Sequence, residues 1–472
     1  MEQDRLPLCE ALERYAGQAS VRLHMPGHKG KGDGALQAFP LAWDVTEVPG
    51  TGDLYAGEGP IAQAEALAAQ AFGAGHSFFS TGGASLGIFA MLAVTLRQGD
   101  YVLVGRDAHR SVIDAMALLG LEPVWLPVGC DSVSGLPGVI AVETLAHAIR
   151  LHPEAKAVFI TYPNYYGLCA DIEQIAQVAH AANLRLLVDE AHGSHFAFHP
   201  ALPMSAGAAG ADMWVDSAHK TLPALTQGAV LHTTQEIDPA QVRRAMALGG
   251  SSSPNYLIMA SLDIARRTAA MQGSARLCVL METLQKFRAS ISQVEGLSCP
   301  DLVGRAGVFC QDPTRLVLSV KKLGMTGYAA DQWLRAHFGI QMEMADRDHV
   351  VAITTMADDA DDIERLLQAI RAMADAHSGR KEIKYQSGVA LPLPERQMPL
   401  REAVLSARED VLVDQADGRI AAASFGAYPP GIPAVCPGEG ITREIIMGLL
   451  EQQRQGARLF GVAEQKIAVV KI

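Results

Sequence analysis

The sequence predicts an α/β protein whose large domain is a mainly parallel sheet wrapped by helices, followed by a small α+β domain and a C-terminal domain. Three observations carry this. Between about residues 60 and 235, short apolar runs rich in Val, Ile and Leu alternate with longer amphipathic, alanine-rich stretches, the pattern of buried parallel strands covered by helices. Several of the short runs end in polar or glycine-bearing turns, VGRDAHRS, ITYPNYYG, LVDEAHGSH and WVDSAHKT. An open α/β sheet gathers such turns outside the carboxyl ends of its strands, where ligands bind. After about residue 294 the alternation gives way to shorter strand and helix signals.

Helices are predicted at Gly59–Phe72, Ser85–Leu96, His109–Leu119, Val142–His152 and Ile172–Ala182, where the stretches are amphipathic and long enough for three turns. The intervening runs Tyr101–Val104, Val124–Pro127, Ala157–Thr161, Leu184–Val188 and Met213–Asp216 are too short for helices and read as buried strands. A Ser-rich turn at Ser251–Pro254 precedes a long helical stretch to about Val294. Leu316–Val320 then reads as a strand, Gly327–Phe338 as a helix, Ile340–Thr355 as a strand pair and Asp358–Ala374 as a helix. A polar linker around His377–Gln386 and the segment LPLPERQMPL open the last region, which contains AYPPGIPAVCPGEG. The expected division is an N-terminal arm (1–58), a large domain (59–290), a small α+β domain (291–376) and a C-terminal domain (377–472).

Lys and Arg number 39 against 51 Asp and Glu in 472 residues, a formal net charge of −12. That field repels phosphate backbones and anionic lipid, so nucleic acid and membrane are not expected partners and a small molecule is. The mean hydropathy is +0.12, yet the longest apolar candidate, Ala84–Leu96, contains Gly87 and closes at Arg97. It falls short of the ~18 to 20 apolar residues of a membrane span. The start, MEQDRLPLCE, lacks the apolar core of a secretory signal. The seven cysteines are scattered and never spaced as CxxC, which points to reduced thiols in the cytoplasm and to no structural metal.

No GxxxxGK[ST] and no HExxH occurs. Three turns instead fit together. Ser80-Thr81-Gly82-Gly83-Ala84-Ser85 leads into a helix, so its backbone N–H groups and the helix dipole make a phosphate cup. Asp189, in Val188-Asp189-Glu190-Ala191-His192-Gly193, ends a buried strand and needs a cationic partner such as a pyridinium nitrogen, an Arg or a metal. Lys220, in Ser217-Ala218-His219-Lys220-Thr221, follows a buried strand, where desolvation or a neighbouring cation turns a lysine into an amine nucleophile. Lys220 lies 31 residues beyond Asp189, about one β-α-β step, which puts both at neighbouring strand ends. Together they supply what pyridoxal 5′-phosphate requires: a lysine to carry it, an acid for the ring nitrogen and a cup for the phosphate.

Further motifs are His24-Met25-Pro26-Gly27-His28-Lys29-Gly30, Asp107-Ala108-His109-Arg110-Ser111, Ser253-Pro254-Asn255-Tyr256, Tyr428-Pro429-Pro430-Gly431-Ile432-Pro433 and Pro437-Gly438-Glu439. With the turns above, they make the chain resemble, over nearly its whole length, the ornithine/lysine/arginine decarboxylases of group III, fold type I, in the short form without an N-terminal wing domain. The resemblance implies an aspartate aminotransferase-like large domain. It implies Lys220 as the cofactor-bearing lysine, Asp189 at the pyridine nitrogen, His109 and Ala191 on the two ring faces, and His192 close to ring or substrate. Ser217 and His219 would join Gly83, Ala84 and Ser85 around the phosphate. Glu343, Asp346 and Glu439 are the candidate acids for a basic substrate side chain. The implied reaction is decarboxylation of lysine, arginine or ornithine to a di- or polyamine and CO₂, in a homodimer or higher homo-oligomer with shared active sites. Two departures stand out. Gly83-Ala84 replaces hydroxyl-bearing residues of the cup, and Asn164 stands where threonine is usual.

The residues also admit other readings. A serine hydrolase would use Ser85 of Gly83-Ala84-Ser85-Leu86-Gly87 with Asp189 and His192 or His219, but leaves Lys220 idle. A metal-dependent hydrolase would use Asp189, Glu190, His192, His195 and His199 and leaves both Lys220 and the cup unexplained. A nearer rival keeps the cofactor and changes the reaction to transamination, elimination or cyclisation, and a non-catalytic regulator is the last; the sequence does not select among the basic amino acids.

Overall fold

The computed structural model describes residues 2–18, 21–379, 392–428 and 431–471. Pro429, Pro430 and most of the expected linker lie outside them. In chain order the helices are α1 (Pro7–Ala16), α2 (Gly59–Phe72), α3 (Gly83–Thr95), α4 (Arg110–Leu119), α5 (Val142–Leu151), α6 (Ile172–Ala181), α7 (Ala218–Thr221), α8 (Pro239–Gly249), α9 (Tyr256–Thr268), α10 (Ser274–Ile291), α11 (Gly327–Phe338), α12 (Ala360–Ala376), α13 (Leu400–Leu405) and α14 (Arg443–Arg454). The strands are β1 (His76–Ser80), β2 (Tyr101–Gly105), β3 (Glu122–Leu126), β4 (Ala157–Thr161), β5 (Leu168–Cys169), β6 (Arg185–Asp189), β7 (Met213–Asp216), β8 (Ala229–Thr233), β9 (Cys310–Gln311), β10 (Arg315–Ser319), β11 (Met344–Ala345), β12 (His349–Ile353), β13 (Arg408–Leu412), β14 (Gly426–Tyr428), β15 (Arg458–Phe460), β16 (Val462–Ala463) and β17 (Lys466–Val470). The chain forms two compact units, residues 1–95 with 185–278, and residues 96–184 with 279–472. No helix of the described residues is long and apolar enough to cross a membrane.

In the first unit the strands lie in the order β1-β8-β7-β6. β6 and β7 are parallel, with Val188 beside Trp214, while β8 runs antiparallel to both β7 and β1. Neither β1 nor β8 figures among the expected strands, because His76, Ser77 and Ser80 in one and His232 and Thr233 in the other break the apolar run. Two of these polar groups pair inside the sheet, with Ser77 Oγ 2.7 Å from His232 Nδ1.

Helix α3 lies close against this sheet because Gly87 has no side chain. A Cβ there would sit 2.6 Å from Val215 Cγ2 and 3.2 Å from Val215 Cβ. Val215 is β-branched and buried, so it has little room to move. Gly87→Ala is therefore expected to lower stability by about 1–2 kcal/mol, overpacking outweighing the ~1 kcal/mol gain in helix propensity. Denaturant unfolding checks this, and a stabilised variant would contradict the close approach.

In the second unit β4, β2 and β3 form a parallel set, with Val102 beside Ala157 and Tyr101 beside Glu122. The small-domain sheet β10-β12-β11 is antiparallel, and the C-terminal region builds β13-β17-β16 and the pair β14-β15. Its core gathers Phe425, Val435, Ile441, Ile445, Leu449 and Ile467. The expected long helix is two helices, α9 and α10, joined by a π-turn at Ala269–Gly273.

Candidate active site

In the first unit the three turns singled out by the sequence end up at strand ends. Asp189 is the last residue of β6 and is buried, and one of its oxygens accepts the Ala191 N–H at 3.1 Å. Ala191 and His192, just beyond, are also buried. Lys220 lies in α7, the single helical turn after β7. Its N–H bonds Ser217 O at 2.9 Å, and its Nζ is 3.1 Å from His192 Nε2. The parallel register of β6 and β7 is what brings these two turns side by side. His219 is fixed by its own loop, with Nδ1 2.9 Å from Gly228 O.

The glycine turn is shaped from both sides. The Ser80 hydroxyl donates to Gly83 O at 2.8 Å and the Gly83 N–H donates to Gln227 O at 3.1 Å. Gly83 takes φ +69°, and Gln227, which faces it, takes φ +82° although it carries a side chain. Backbone of that kind persists only where its surroundings impose it, as at binding sites. The nearest atom to a Cβ built on Gly83 is 4.0 Å away, so the space above the turn is open. Helix α3 begins at Gly83, two residues before the expected start, which puts Ala84 and Ser85 in its first turn. Their N–H groups have no partner within the helix and point outward with its positive dipole end. A phosphate therefore fits this donor set even where Gly83 and Ala84 carry no hydroxyl.

The remaining candidates belong to the second unit. His109 caps α4, accepting the Ser111 N–H at 3.3 Å, with its Nδ1 2.8 Å from Ser111 Oγ. Glu343 accepts a hydrogen bond from the Tyr165 hydroxyl. It also lines a cavity of about 640 Å³ with Tyr328, Arg335, Tyr428 and Arg458. Tyr166 donates to Asp346 at 2.9 Å, and His349 Nδ1 is 3.0 Å from the other Asp346 oxygen. Burial pushes the Asp346 carboxyl up, but the His349 ring and the bonds from His349, Asp348 N–H and Tyr166 bring it below its ordinary value. Asn164, one of the departures, builds the turn that presents both tyrosines. Its Oδ1 accepts the Tyr166 and Leu168 N–H groups at 3.0 Å each, and its Nδ2 donates to Gly138 O at 3.1 Å.

Glu439 is held differently from the other two acids. Arg106 grips both its oxygens at 2.7 and 2.8 Å, and the Cys436 N–H adds a third bond at 2.7 Å. Tyr165, Tyr166 and Arg106 were not among the expected site residues. Nothing in a single sequence pairs them with acids more than 170 positions away. Among the described residues no group of three or more His, Cys, Asp or Glu is placed to hold a metal ion.

Comparison with known proteins places this geometry. Residues 6–309 match the major domain of Orn/Lys/Arg decarboxylases and residues 385–467 match their C-terminal domain. Arginine decarboxylase from Bacillus subtilis (strain 168) is 34% identical, covering 100% of this chain and 98% of its own length. Lysine decarboxylase LdcA from Pseudomonas aeruginosa is 26% identical over 96% of this chain and 76% of its own. The crystal structure of lysine decarboxylase LdcF from Francisella novicida superimposes with a TM-score of 0.84, covering 99% of this chain and 81% of that one. At 19% identity that likeness concerns the fold. The full-length relatives and the two matched domains agree, and the chain belongs to the Orn/Lys/Arg decarboxylase family.

Proposed function

We propose that this chain decarboxylates arginine to the corresponding amine and CO₂, with pyridoxal 5′-phosphate carried on Lys220. The observation that carries the reading is the placement of Lys220 Nζ against His192 at the end of β7, with buried Asp189 at the end of parallel β6. Family membership implies the cofactor, and the lysine, the buried acid and the open glycine turn fit it. When bound, it supplies an electron sink for the pair left behind as CO₂ departs.

The chain's own groups prepare that chemistry. Asp189 would keep a proton on the ring nitrogen, its buried charge compensated there. His192, 3.1 Å from Lys220 Nζ, can take or return the lysine proton, which lets the amine act as nucleophile and as acid. The His109 ring, held by Ser111, is proposed to stack on the cofactor face. Ala84, Ser85 and Ser217 would hold the phosphate.

Arginine is favoured because relatives alignable over the full chain at 34% identity are arginine decarboxylases, whereas LdcA stands at 26%. Glu343, oriented by Tyr165, is the acid proposed to receive the guanidinium; Asp346 is engaged by Tyr166 and His349, and both oxygens of Glu439 are taken by Arg106. The net charge of −12 draws such cations. We further propose a cytoplasmic homodimer or higher homo-oligomer with shared active sites, serving polyamine synthesis.

Release of CO₂ from arginine is expected to exceed that from lysine or ornithine by at least about tenfold in kcat/KM. Glu343→Gln should raise KM for arginine by about 10- to 100-fold, the worth of a hydrogen bond to a charged group. Preference for lysine or ornithine would overturn the substrate assignment. Turnover without CO₂ would point to transamination, elimination or cyclisation.

A further inference from the structure

On the face of the first unit's sheet opposite Val215 and α3, a buried polar stripe crosses the strands with one residue from each. Ser77 on β1 pairs with His232 on β8, Asp216 ends β7, and Glu190 immediately follows β6. All four are buried, with Asp216 and His232 at 0% exposure and Glu190 at 1%. Ser77 Oγ lies 2.7 Å from His232 Nδ1, and His232 Nε2 lies 3.2 Å from Asp216 Oδ2. That second contact is off the line of a hydrogen bond, so both Asp216 oxygens remain buried acceptors without an aligned donor.

The register supplies one. Val188 lies beside Trp214 and Asp189 beside Val215, and the Glu190 N–H still bonds Val215 O at 3.0 Å, so the same register carried one residue past β6 sets Glu190 beside Asp216. Alternation along the strands puts Glu190 and Asp216 on one face and Asp189 on the other. Two carboxyl groups side by side in a dry interior cannot both ionise. The Ala206 N–H bonds one Glu190 oxygen at 2.8 Å, which leaves the other for a proton.

We propose that Glu190 is a positioning residue of this decarboxylase: as a neutral acid it donates its proton to Asp216, and the shared proton ties together the ends of β6 and β7 that present Asp189 and Lys220. Burial first, and the Asp216 charge second, push the Glu190 carboxyl well above its ordinary value, and the Ala206 N–H opposes them. Asp216 from β7 is the charged group acting on Glu190. His232 from β8 acts on Asp216, the 205–206 segment contributes a backbone N–H, and Asp189 and His192 are its chain neighbours. The role in catalysis rests on Lys220 and Asp189 being the cofactor residues; the shared proton does not.

Two measurements separate those parts. The difference infrared spectrum of the full-length protein minus Glu190→Gln should show the carbonyl band of a protonated carboxylic acid at neutral pH. An acid whose folded pKa is raised loses stability as pH rises from its unfolded value toward its folded one. The Tm of Glu190→Gln relative to wild type should therefore climb from pH 5 to pH 8, because glutamine keeps a neutral donor that cannot ionise. Glu190→Leu removes the donor and should lower both Tm and kcat/KM by at least about tenfold in the latter, with Glu190→Gln recovering most of the loss. Absence of the acid band, or a Tm difference flat in pH, overturns the shared proton. Presence of both with kcat/KM unaffected in Glu190→Leu overturns the positioning role alone. Should Glu190→Leu fail to fold, Asp216→Ala, which removes the acceptor of the Glu190 proton, takes its place in both readouts, with the same losses expected.

Discussion

Replacing Lys220 with alanine is expected to abolish decarboxylation, by at least about 10³-fold, and to remove the visible absorption of lysine-bound cofactor that borohydride bleaches. The lysine is asked to do two jobs, as nucleophile and as acid or base, and positioned proton transfer alone contributes about 10²- to 10⁴-fold. The side chain 3.1 Å from its amine, His192, carries no primary amine to take over the first of these jobs. The fold should survive. Lys220 is only partly buried in a single-turn helix, and that turn is held by backbone bonds from Lys220 N–H to Ser217 O and from Leu222 N–H to Ala218 O. Because the side chain is only partly buried, stability should change by less than about 1 kcal/mol. Retention of the band or of turnover in Lys220→Ala would remove the basis of the pyridoxal reading, including the serine- and metal-hydrolase comparison that leaves this lysine unused.

The largest effect on stability is expected at Glu439. Arg106 and Glu439 are 7% and 1% exposed and meet through two charge-assisted bonds. Arg106 also donates to Ala434 O at 3.1 Å and lies 4.8 Å from the centre of the Trp125 ring. Glu439→Gln leaves a buried guanidinium without its counter-charge, which costs about 3–5 kcal/mol, whereas Arg106→Met with Glu439→Leu should cost considerably less because no charge is stranded. Denaturant unfolding of Arg106→Met, Glu439→Leu and the variant carrying both measures the coupling. A loss below about 1 kcal/mol in Glu439→Gln would mean that the pair is solvated like a surface ion pair. Arg106 stands three residues before His109, so the same variants should also disturb the loop that carries that ring.

Much of the proposed cofactor region could be read from the sequence because the chemistry it would need is local. A glycine turn before a helix, an acid at the end of an apolar run and a lysine just past another each carry meaning within about ten residues, and a parallel α/β sheet has one place to collect them. The helix Gly59–Phe72 and the strands Ala157–Thr161 and Met213–Asp216 have the expected bounds for a similar reason, since apolar runs of distinct length leave little choice of element. β1 and β8 escaped because their polar residues hydrogen-bond to one another across strands, a pairing that exists only once β8 has folded back antiparallel.

The sequence by itself determined the class of fold, the acidic surface charge and the residue types that suit a phosphate-bearing cofactor. Tertiary structure decided which acids have their charge already spoken for. Glu343, Asp346 and Glu439 look alike as letters, yet one faces a cavity beside Tyr165, one is locked between Tyr166 and His349, and one is clamped by Arg106. It also put Glu190 just past the end of β6 and Asp216 at the end of β7, the placement from which we propose that Glu190 keeps its proton. The physical reason is the same throughout. What a carboxyl group can do depends on its desolvation and on the charges within a few ångströms, and those neighbours come from segments far apart in the chain.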